Sequence, residues 1–93
     1  MTDDLQISHD TGARRFDTRV DGHQAYVEYE RAGGILTITH TIVPPEIGGR
    51  GIAAQLVRAA LEYVRAEGLK VVPQCSYAAA YLKKHPQYAD LVA

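Results

Sequence analysis

In Thr39-His40-Thr41-Ile42-Val43-Pro44-Pro45-Glu46-Ile47-Gly48-Gly49-Arg50-Gly51-Ile52-Ala53, a strand pattern gives way to glycines and then to a helix. Glycines at such a junction let the backbone approach a ligand closely. The first turn of the helix leaves N–H donors unpaired beside the positive end of the helix dipole. The stretch therefore predicts a loop that binds a phosphate or another anion.

Two segments before this junction alternate polar and apolar residues with the period of antiparallel strands. They cover 14–20 and 24–31, and Asp21-Gly22-His23 between them has the composition of a tight turn. Ala32-Gly33-Gly34 has the composition of a second turn. The sequence therefore predicts an antiparallel meander that leads into the junction.

The strand at the junction is predicted over 35–43, because this segment is rich in Ile, Thr and Val. Its alternation places four side chains on one face: Leu36, Ile38, His40 and Ile42. Pro44-Pro45 closes the strand, and neither proline has a backbone N–H to continue a sheet ladder. A neighbouring strand must separate from this end or pair elsewhere, which predicts a slot in the sheet.

After the junction the apolar period becomes helical over 51–67, and Gly68 is expected to end the helix. The short apolar run 69–73 is typical of a buried parallel strand and completes a βαβ unit. Ser76 is expected to cap a short C-terminal helix, which His85-Pro86 stops. The fold class is therefore α+β, with a meander that leads into one βαβ unit.

The composition is that of one ordinary globular domain over 1–93, with 46% apolar and 23% charged residues. A formal net charge of −1 provides no basic surface, so nucleic acid is not an expected partner. The acidic start 1–4 is unlike a signal peptide, and no apolar run reaches the roughly 18 residues of a membrane span. We therefore expect no membrane partner and a cytoplasmic protein. Cys75 is the single cysteine, no histidine has metal-ligand spacing, and no metal site is predicted.

Two other phosphate-binding motifs use glycines in a similar way. Gly49-Arg50-Gly51-Ile52-Ala53-Ala54 matches the spacing of the dinucleotide fingerprint. That fingerprint follows the first strand of a doubly wound sheet and precedes an acidic residue about 20 positions later. Here antiparallel strands come first and Val71-Val72-Pro73-Gln74 carries no carboxylate, so a dinucleotide site is disfavoured. A P-loop is excluded because no Gly-Lys-Ser/Thr occurs.

The chain resembles the GNAT superfamily of acetyltransferases in four blocks that follow the family's order. The blocks are Ile38-Thr39-His40-Thr41-Ile42-Val43-Pro44, Gly48-Gly49-Arg50-Gly51-Ile52-Ala53, Val72-Pro73-Gln74-Cys75-Ser76-Tyr77 and His85-Pro86-Gln87-Tyr88-Ala89-Asp90-Leu91-Val92. They are similar to the minimal stand-alone GNAT-like domains, and the likeness extends from about Phe16 to Val92. The glycine block alone is weakly specific, whereas four blocks in the right order are strongly specific.

The resemblance implies that acetyl-CoA is the cofactor and that its pantetheine arm lies between the splayed strands. The residues expected along the arm are Thr41, Ile42 and Val43. The backbone expected at the pyrophosphate belongs to Gly48, Gly49, Gly51, Ile52 and Ala53, and Arg50 is expected to add positive charge. The family's first signature residue is a Gln or an Arg, whereas this chain has Gly48, so only backbone donation is expected there.

The resemblance also implies that the thioester lies near Cys75, which follows the last core strand. A thiolate there can accept an acetyl group or help to release CoA, although free cysteines are also common core residues. His40 is a candidate general base or a satisfied core histidine, and a relay between His40 and Cys75 is one expectation. Tyr81 is expected either to pack against Tyr77 or to face the cofactor.

The first function hypothesis is transfer of an acetyl group from acetyl-CoA to an amine acceptor, by a monomer or weak dimer. A neutral amine attacks the thioester, a backbone N–H stabilises the oxyanion, and an acid protonates the leaving thiolate. Larger family members carry helices between the first strands, which help to shape the acceptor site, whereas this chain has only Asp21-Gly22-His23. The alternatives are a non-catalytic module that binds or senses acyl-CoA, and a structural interaction domain.

Overall fold

A computed structural model describes residues 5–93, and the acidic start 1–4 lies outside the described residues. Within 5–93, five strands form one sheet in which neighbours follow the order of the sequence. They are β1 (Ser8–Asp10), β2 (Arg15–Val20), β3 (His23–Ala32), β4 (Ile35–Ile42) and β5 (Lys70–Pro73). The first four strands pair antiparallel, and β5 pairs parallel with β4. The predicted meander and parallel strand pair are confirmed.

The strand β1 is absent from the sequence prediction because its three residues are polar. It pairs with β2 through His9 and Phe16, whose rings stack with centroids 4.0 Å apart. The Nε2 atom of His9 also lies 2.6 Å from the hydroxyl of Tyr29 on β3. An aromatic contact and a hydrogen bond thus stabilise β1, which the alternation of polar and apolar residues does not predict.

Helix α1 spans Ile52–Ala66, and helix α2 spans Ser76–Lys84. The bounds of α1 agree with the prediction to one residue at each end, and Gly68 follows it at a φ of 68°, as expected for a helix C-terminus. One face of α1 is buried against the sheet: Ile52, Leu56, Val57, Ala60, Leu61 and Val64. Each large side chain buried in this way stabilises the fold by roughly 1.5–3 kcal/mol, which fixes α1 over β2, β3 and β4. No helix within 5–93 combines the length and the apolar character that crossing a membrane requires.

The C-terminal segment closes the molecule beside α1 and β5. A 3₁₀ turn over Pro86–Leu91 buries Tyr88, whose hydroxyl donates a hydrogen bond to the Glu62 carboxylate at 2.6 Å. Burial, together with this hydrogen bond, raises the pKa of Tyr88 to about 12. The N–H of Ala93 donates to the Val71 carbonyl at 2.9 Å. These contacts fix the parallel edge of the sheet on the side away from β3.

Candidate functional site

The strand β4 has neighbours on both sides only over its first half. Its pairing with β5 ends where Ile38 meets Pro73, whereas its pairing with β3 continues to Ile42. The chain leaves β5 through Gln74 and Cys75, whose N–H groups both donate to the Ile38 carbonyl, at 3.0 and 3.1 Å. In the described part of the chain, the far half of β4 therefore has no strand on its β5 side. The predicted slot opens beside this half of β4, before the chain reaches Pro44-Pro45. The pairing of β5 ends at Pro73, which also has no backbone N–H.

A β-bulge in β4 lies at the same point. Glu28 pairs with His40 and Tyr29 pairs with Ile38, so Thr39 is left without a partner of its own on β3. The Oγ1 atom of Thr39 donates a hydrogen bond to the Glu28 carbonyl at 3.1 Å, which holds the bulge in place. One extra residue reverses the alternation of side chains between the two faces of a strand.

The bulge corrects the face predicted for β4. Leu36 and Ile38 are fully buried, as unbroken alternation requires, but Ile42 is 42% exposed and the side chain of His40 is 62% exposed. The prediction of one shared face for these residues is wrong, and so is the interpretation of His40 as a core histidine. Both fail because the extra residue at Thr39 turns the residues after it outward.

Cys75 lies at the inner edge of the slot and is half-buried. Its Sγ atom is 3.2 Å from the Oγ1 atom of Thr41 and accepts a hydrogen bond from the N–H of Ala78 at 3.4 Å. Cys75 is the N-cap of α2, whereas Ser76, the predicted cap, is the first helical residue. The cap places the sulfur at the N-terminal end of α2, within hydrogen-bond distance of Thr41. A sulfur in this position is suited to nucleophilic attack or to proton donation.

His40 projects from the other face of β4, because consecutive strand residues point to opposite faces. Its Nδ1 atom is 3.3 Å from Oε1 of Glu28 and 3.2 Å from Oγ1 of Thr39. The thiol of Cys75, in contrast, is hydrogen-bonded to Thr41 on the inner face. The structure does not bring the two side chains together as a direct relay would need. A catalytic role for each stays a prediction.

The glycine loop begins with a 3₁₀ turn over Pro45–Ile47, whose last residue is fully buried. This turn already uses one expected phosphate donor, because the N–H of Gly48 donates to the Pro45 carbonyl at 3.2 Å. Gly49 and Gly51 both have a φ of 76°, in the left-handed region that strains other residues. Gly51 is the N-cap of α1 and has no side chain to occupy the N–H groups of the first turn. Those N–H groups are left to bind an external acceptor.

Arg50 lies between these two glycines and is directed to the solvent. Its guanidinium forms an ion pair with the carboxylate of Asp21 at 2.8 Å, and both side chains are about half exposed or more. Exposed ion pairs of this kind contribute at most about 1 kcal/mol. The guanidinium can therefore exchange Asp21 for an anion at the loop with little loss of stability.

A cavity of about 210 Å³ lies between α1 and α2, and it contains one of the predicted site residues. Tyr81 lines it, is 7% exposed, and stacks its ring on that of His85 with centroids 3.9 Å apart. Tyr77, the other partner expected for Tyr81, is 40% exposed. The cavity adjoins the start of α1, because Ala54 in the first turn of that helix forms part of its wall.

Four of the five residues that line this cavity were not predicted as site residues, and two of them, Arg58 and His85, are ionisable. From the sequence, Arg58 belongs to the polar stripe of α1 and His85 to the end of the second helix. Both line the cavity, and Nδ1 of His85 is 2.8 Å from the Tyr81 carbonyl. The signal that could have found them is spacing, since Ala54 and Arg58, like Tyr81 and His85, are four residues apart on one helix face.

Comparison with known proteins agrees with this geometry. Residues 15–91 match the family model described as GCN5-related N-acetyl-transferase. Protein NATD1 of Gallus gallus is 40% identical over 91 residues, which are 92% of this chain and 83% of the relative; Protein NATD1 of Homo sapiens is 39% identical, with 92% and 80% covered. A GCN5-like protein from Staphylococcus aureus, solved in solution by NMR, superposes with a TM-score of 0.77 at 29% identity, over 96% of this chain and 88% of that one. The chain belongs to the GCN5-related N-acetyltransferase family.

Proposed function

We propose that the protein binds acetyl-CoA in the slot beside β4 and transfers the acetyl group to an amine acceptor. The observation that carries the proposal is that three features follow one another along β4, from the start of α1 to Cys75. Backbone donors at the start of α1 come first, the half of β4 without a β5 neighbour comes next, and Cys75 lies at its inner end. This order matches a cofactor with a pyrophosphate, an extended arm and a terminal thioester.

The anionic end of the cofactor is proposed to lie at the glycine loop. The N–H groups of Gly49, Gly51, Ile52 and Ala53 are the proposed donors to the pyrophosphate. Arg50 adds positive charge from the solvent side, and Arg58 in the cavity between α1 and α2 supplies a second guanidinium for phosphate oxygens. Tyr81 and His85 offer a wall of stacked rings to the part of the cofactor that enters this cavity.

The pantetheine arm is proposed to lie along β4 past Thr41, Ile42 and Val43. The backbone of this segment lacks ladder partners on its β5 side and can pair with the amide groups of the arm. The arm would thus take the place of a missing strand. Its thioester end would then reach the hydrogen-bonded pair formed by Thr41 and Cys75.

Two chemical routes use the thiol of Cys75. In direct transfer, the amine nitrogen bonds to the thioester carbonyl, the C–S bond breaks, and the leaving CoA thiolate takes the proton of the Cys75 S–H. In the covalent route, the Cys75 sulfur bonds to the thioester carbonyl, the C–S bond to CoA breaks, and the thiol proton passes to the leaving CoA thiolate; the amine then attacks the new thioester and releases the Cys75 thiolate. The hydroxyl of Thr41, 3.2 Å from the sulfur, orients the thiol in both routes.

His40 is proposed to act as the base that removes the proton from the amine. With the cofactor on the helix side of the sheet, the acceptor approaches from the outer face, to which the bulge turns His40. The carboxylate of Glu28, 3.3 Å from Nδ1, orients the imidazole and leaves Nε2 for the acceptor. Because Cys75 lies on the other face, the two residues act on different atoms rather than as a relay.

A second function is favoured by the openness of this outer face. Only a two-residue turn, Asp21 and Gly22, separates β2 from β3, and no helix covers His40 in the described part of the chain. An acceptor would therefore find little surface to bind it. The alternative is a module that binds or senses acyl-CoA without efficient turnover.

Calorimetric titration with CoA and acetyl-CoA tests the common part of both functions. We expect binding to the unmodified chain, and the absence of binding at millimolar ligand rejects both. Turnover with a panel of amines then separates them, since the binding module gives no acetylated amine above the uncatalysed rate.

Cys75→Ala and Cys75→Ser then test the thiol in the same assay, with CoA affinity measured in parallel. We expect turnover to fall at least a hundredfold in Cys75→Ala, because removing a catalytic acid or nucleophile costs factors of this size. Mass spectrometry after exposure to acetyl-CoA separates the routes, because an added acetyl group on Cys75 appears only in the covalent one. Full turnover in Cys75→Ala would remove the residue from the mechanism.

A further inference from the structure

A larger cavity, of about 460 Å³, lies at the opposite end of β4. Its walls come from the turn after β1, the hairpin between β3 and β4, and the last turns of α1. Its polar side chains are Thr11, Arg14, Tyr29, Arg31 and Tyr63. Strands rise about 3.3 Å per residue, so the hairpin is on the order of 25 Å from the slot end of β4. The proposed acetyl transfer uses none of these residues.

Arg31 carries a positive charge at this cavity and is held by a hydroxyl rather than by a carboxylate of the described residues. Its Nη1 atom donates to the hydroxyl of Tyr63 at 2.7 Å, and the guanidinium lies 5.9 Å from the centre of that ring. No carboxylate within residues 5–93 forms an ion pair with Arg31, whereas Arg14 across the cavity is paired with Glu30. The hydroxyl of Tyr63 thus positions a guanidinium whose remaining donors are available to an anion.

The floor of the cavity is uncharged. The Tyr29 side chain is buried, and its hydroxyl lies 2.6 Å from Nε2 of His9. Burial raises the pKa of Tyr29 and lowers the pKa of His9, so both groups are neutral near pH 7. The nearby carboxylate of Asp10 accepts a hydrogen bond from the N–H of Ala13 at 3.0 Å in the adjoining turn. An anion at Arg31 therefore meets hydroxyl groups rather than a negative floor.

The backbone at Arg14 is also unusual. Its φ of 56° is uncommon for a residue other than glycine, and its carbonyl accepts the N–H of Tyr29 at 3.0 Å. A glycine or an asparagine takes this conformation with less strain. The position nevertheless holds an arginine, which places a second guanidinium at the wall of the cavity.

We propose that this cavity binds a small phosphorylated metabolite, with its phosphate held by Arg31 and by Arg14, whose exposed ion pair with Glu30 can be exchanged for the phosphate at little cost. A phosphate has acceptor oxygens in several directions, which suits donors that converge from β1–β2, β3 and α1 better than a planar carboxylate does. The volume falls within the range of small-molecule sites and exceeds what a phosphate alone fills. The rings of Tyr29 and Tyr63 flank the space for the rest of the molecule.

The test is a titration of the full chain with inorganic phosphate, phenyl phosphate and acetate, followed by amide NMR shifts and calorimetry. We expect phenyl phosphate to bind most tightly and to shift the amides of 11–14 and 31–34. Arg31→Gln is expected to weaken this binding at least tenfold. Arg19→Gln, which removes an exposed arginine at the other end of β2 and β3, is expected to leave it unchanged.

Three results would overturn the proposal: shifts confined to 49–53, equal losses in Arg31→Gln and Arg19→Gln, or acetate binding as tightly as phosphate. Tyr63→Phe serves as a second variant that keeps the ring and removes the hydroxyl holding Arg31. It is expected to weaken phosphate binding without altering CoA binding. Failure of this proposal can be distinguished from failure of the proposed acetyl transfer, because CoA binding is measured on the same samples.

Discussion

Residues 35–38 and 39–42 belong to one strand, β4, but within residues 5–93 the first segment has strand neighbours on both sides and the second has one. Inward residues of the first segment, such as Leu36 and Ile38, are fully buried, whereas Thr41 in the second meets the thiol of Cys75. The sequence pattern of Ile and Thr is nearly the same in both. Two local changes separate the halves: the pairing of β5 ends at Pro73, which opens the slot, and the bulge at Thr39 turns Thr41 rather than His40 inward. Backbone groups without ladder partners there must bind water or a ligand.

The largest expected difference between the two halves is in stability. Ile38→Ala is expected to lower the free energy of unfolding by about 2–5 kcal/mol, because it leaves a cavity in the core. Thr41→Val removes one hydrogen bond to Cys75 and is expected to cost about 1 kcal/mol. Urea unfolding of the two variants measures the difference, with Ile38→Val as a milder control. Similar losses in Ile38→Ala and Thr41→Val would show that both halves of β4 contribute equally to the stability of the core.

The two ends of α1 offer a matched pair of glycines. Gly51 and Gly68 both have a positive φ, and a Cβ added at either one meets no atom of the chain within 4 Å. Gly51→Ala and Gly68→Ala are each expected to lower stability by about 1–2 kcal/mol through backbone strain. Only Gly51→Ala is expected to weaken CoA binding, by roughly tenfold or about 1.4 kcal/mol, because its methyl group faces the proposed phosphate site. Calorimetry that finds equal affinities in the two variants would place the pyrophosphate elsewhere.

The fold could be predicted from the sequence wherever a pattern is long. The period of α1 and the glycine after it locate this helix to one residue at each end. The strand β1 could not be found, because its stability depends on contacts of His9 with Phe16 and Tyr29, which are distant in sequence or on another strand. Local periodicity carries no information about such contacts.

The site could be predicted only in part, for the same physical reason. The glycine loop lies between β4 and α1 as expected, but the hydrogen bond that occupies the Gly48 N–H depends on the 3₁₀ turn before it. The bulge at Thr39 could not be predicted, because a threonine in a strand gives no local sign of a shifted register. His40 was therefore placed on the wrong face. The cap at Cys75 depends on where α2 starts, and a serine one residue later is the better local signal.

The hairpin end of the sheet is expected to lose stability in acid. Burial lowers the pKa of His9 below the ordinary value of 6.5, so the folded state binds this proton less readily than the unfolded chain. Stability should be unaffected above about pH 6.5 and should fall as the pH drops through and below that value. His9→Gln is expected to remove this dependence of the free energy of unfolding on pH, whereas His40→Gln is expected to retain it. Urea midpoints between pH 5 and pH 8 measure the effect, and equal slopes in the two variants would contradict it.

The smallest expected change in stability lies at the loop itself. Arg50→Gln breaks an exposed ion pair with Asp21 and is expected to change the free energy of unfolding by no more than about 0.5 kcal/mol. Arg65→Gln, which breaks an exposed pair with Asp90 and a hydrogen bond to the Gln87 carbonyl at the other end of α1, serves as the control for CoA affinity. If Arg50 assists the phosphates, CoA affinity falls by roughly threefold to tenfold in Arg50→Gln alone, and its salt dependence decreases. Unchanged affinity and salt dependence would mean that the backbone N–H groups hold the phosphates without it.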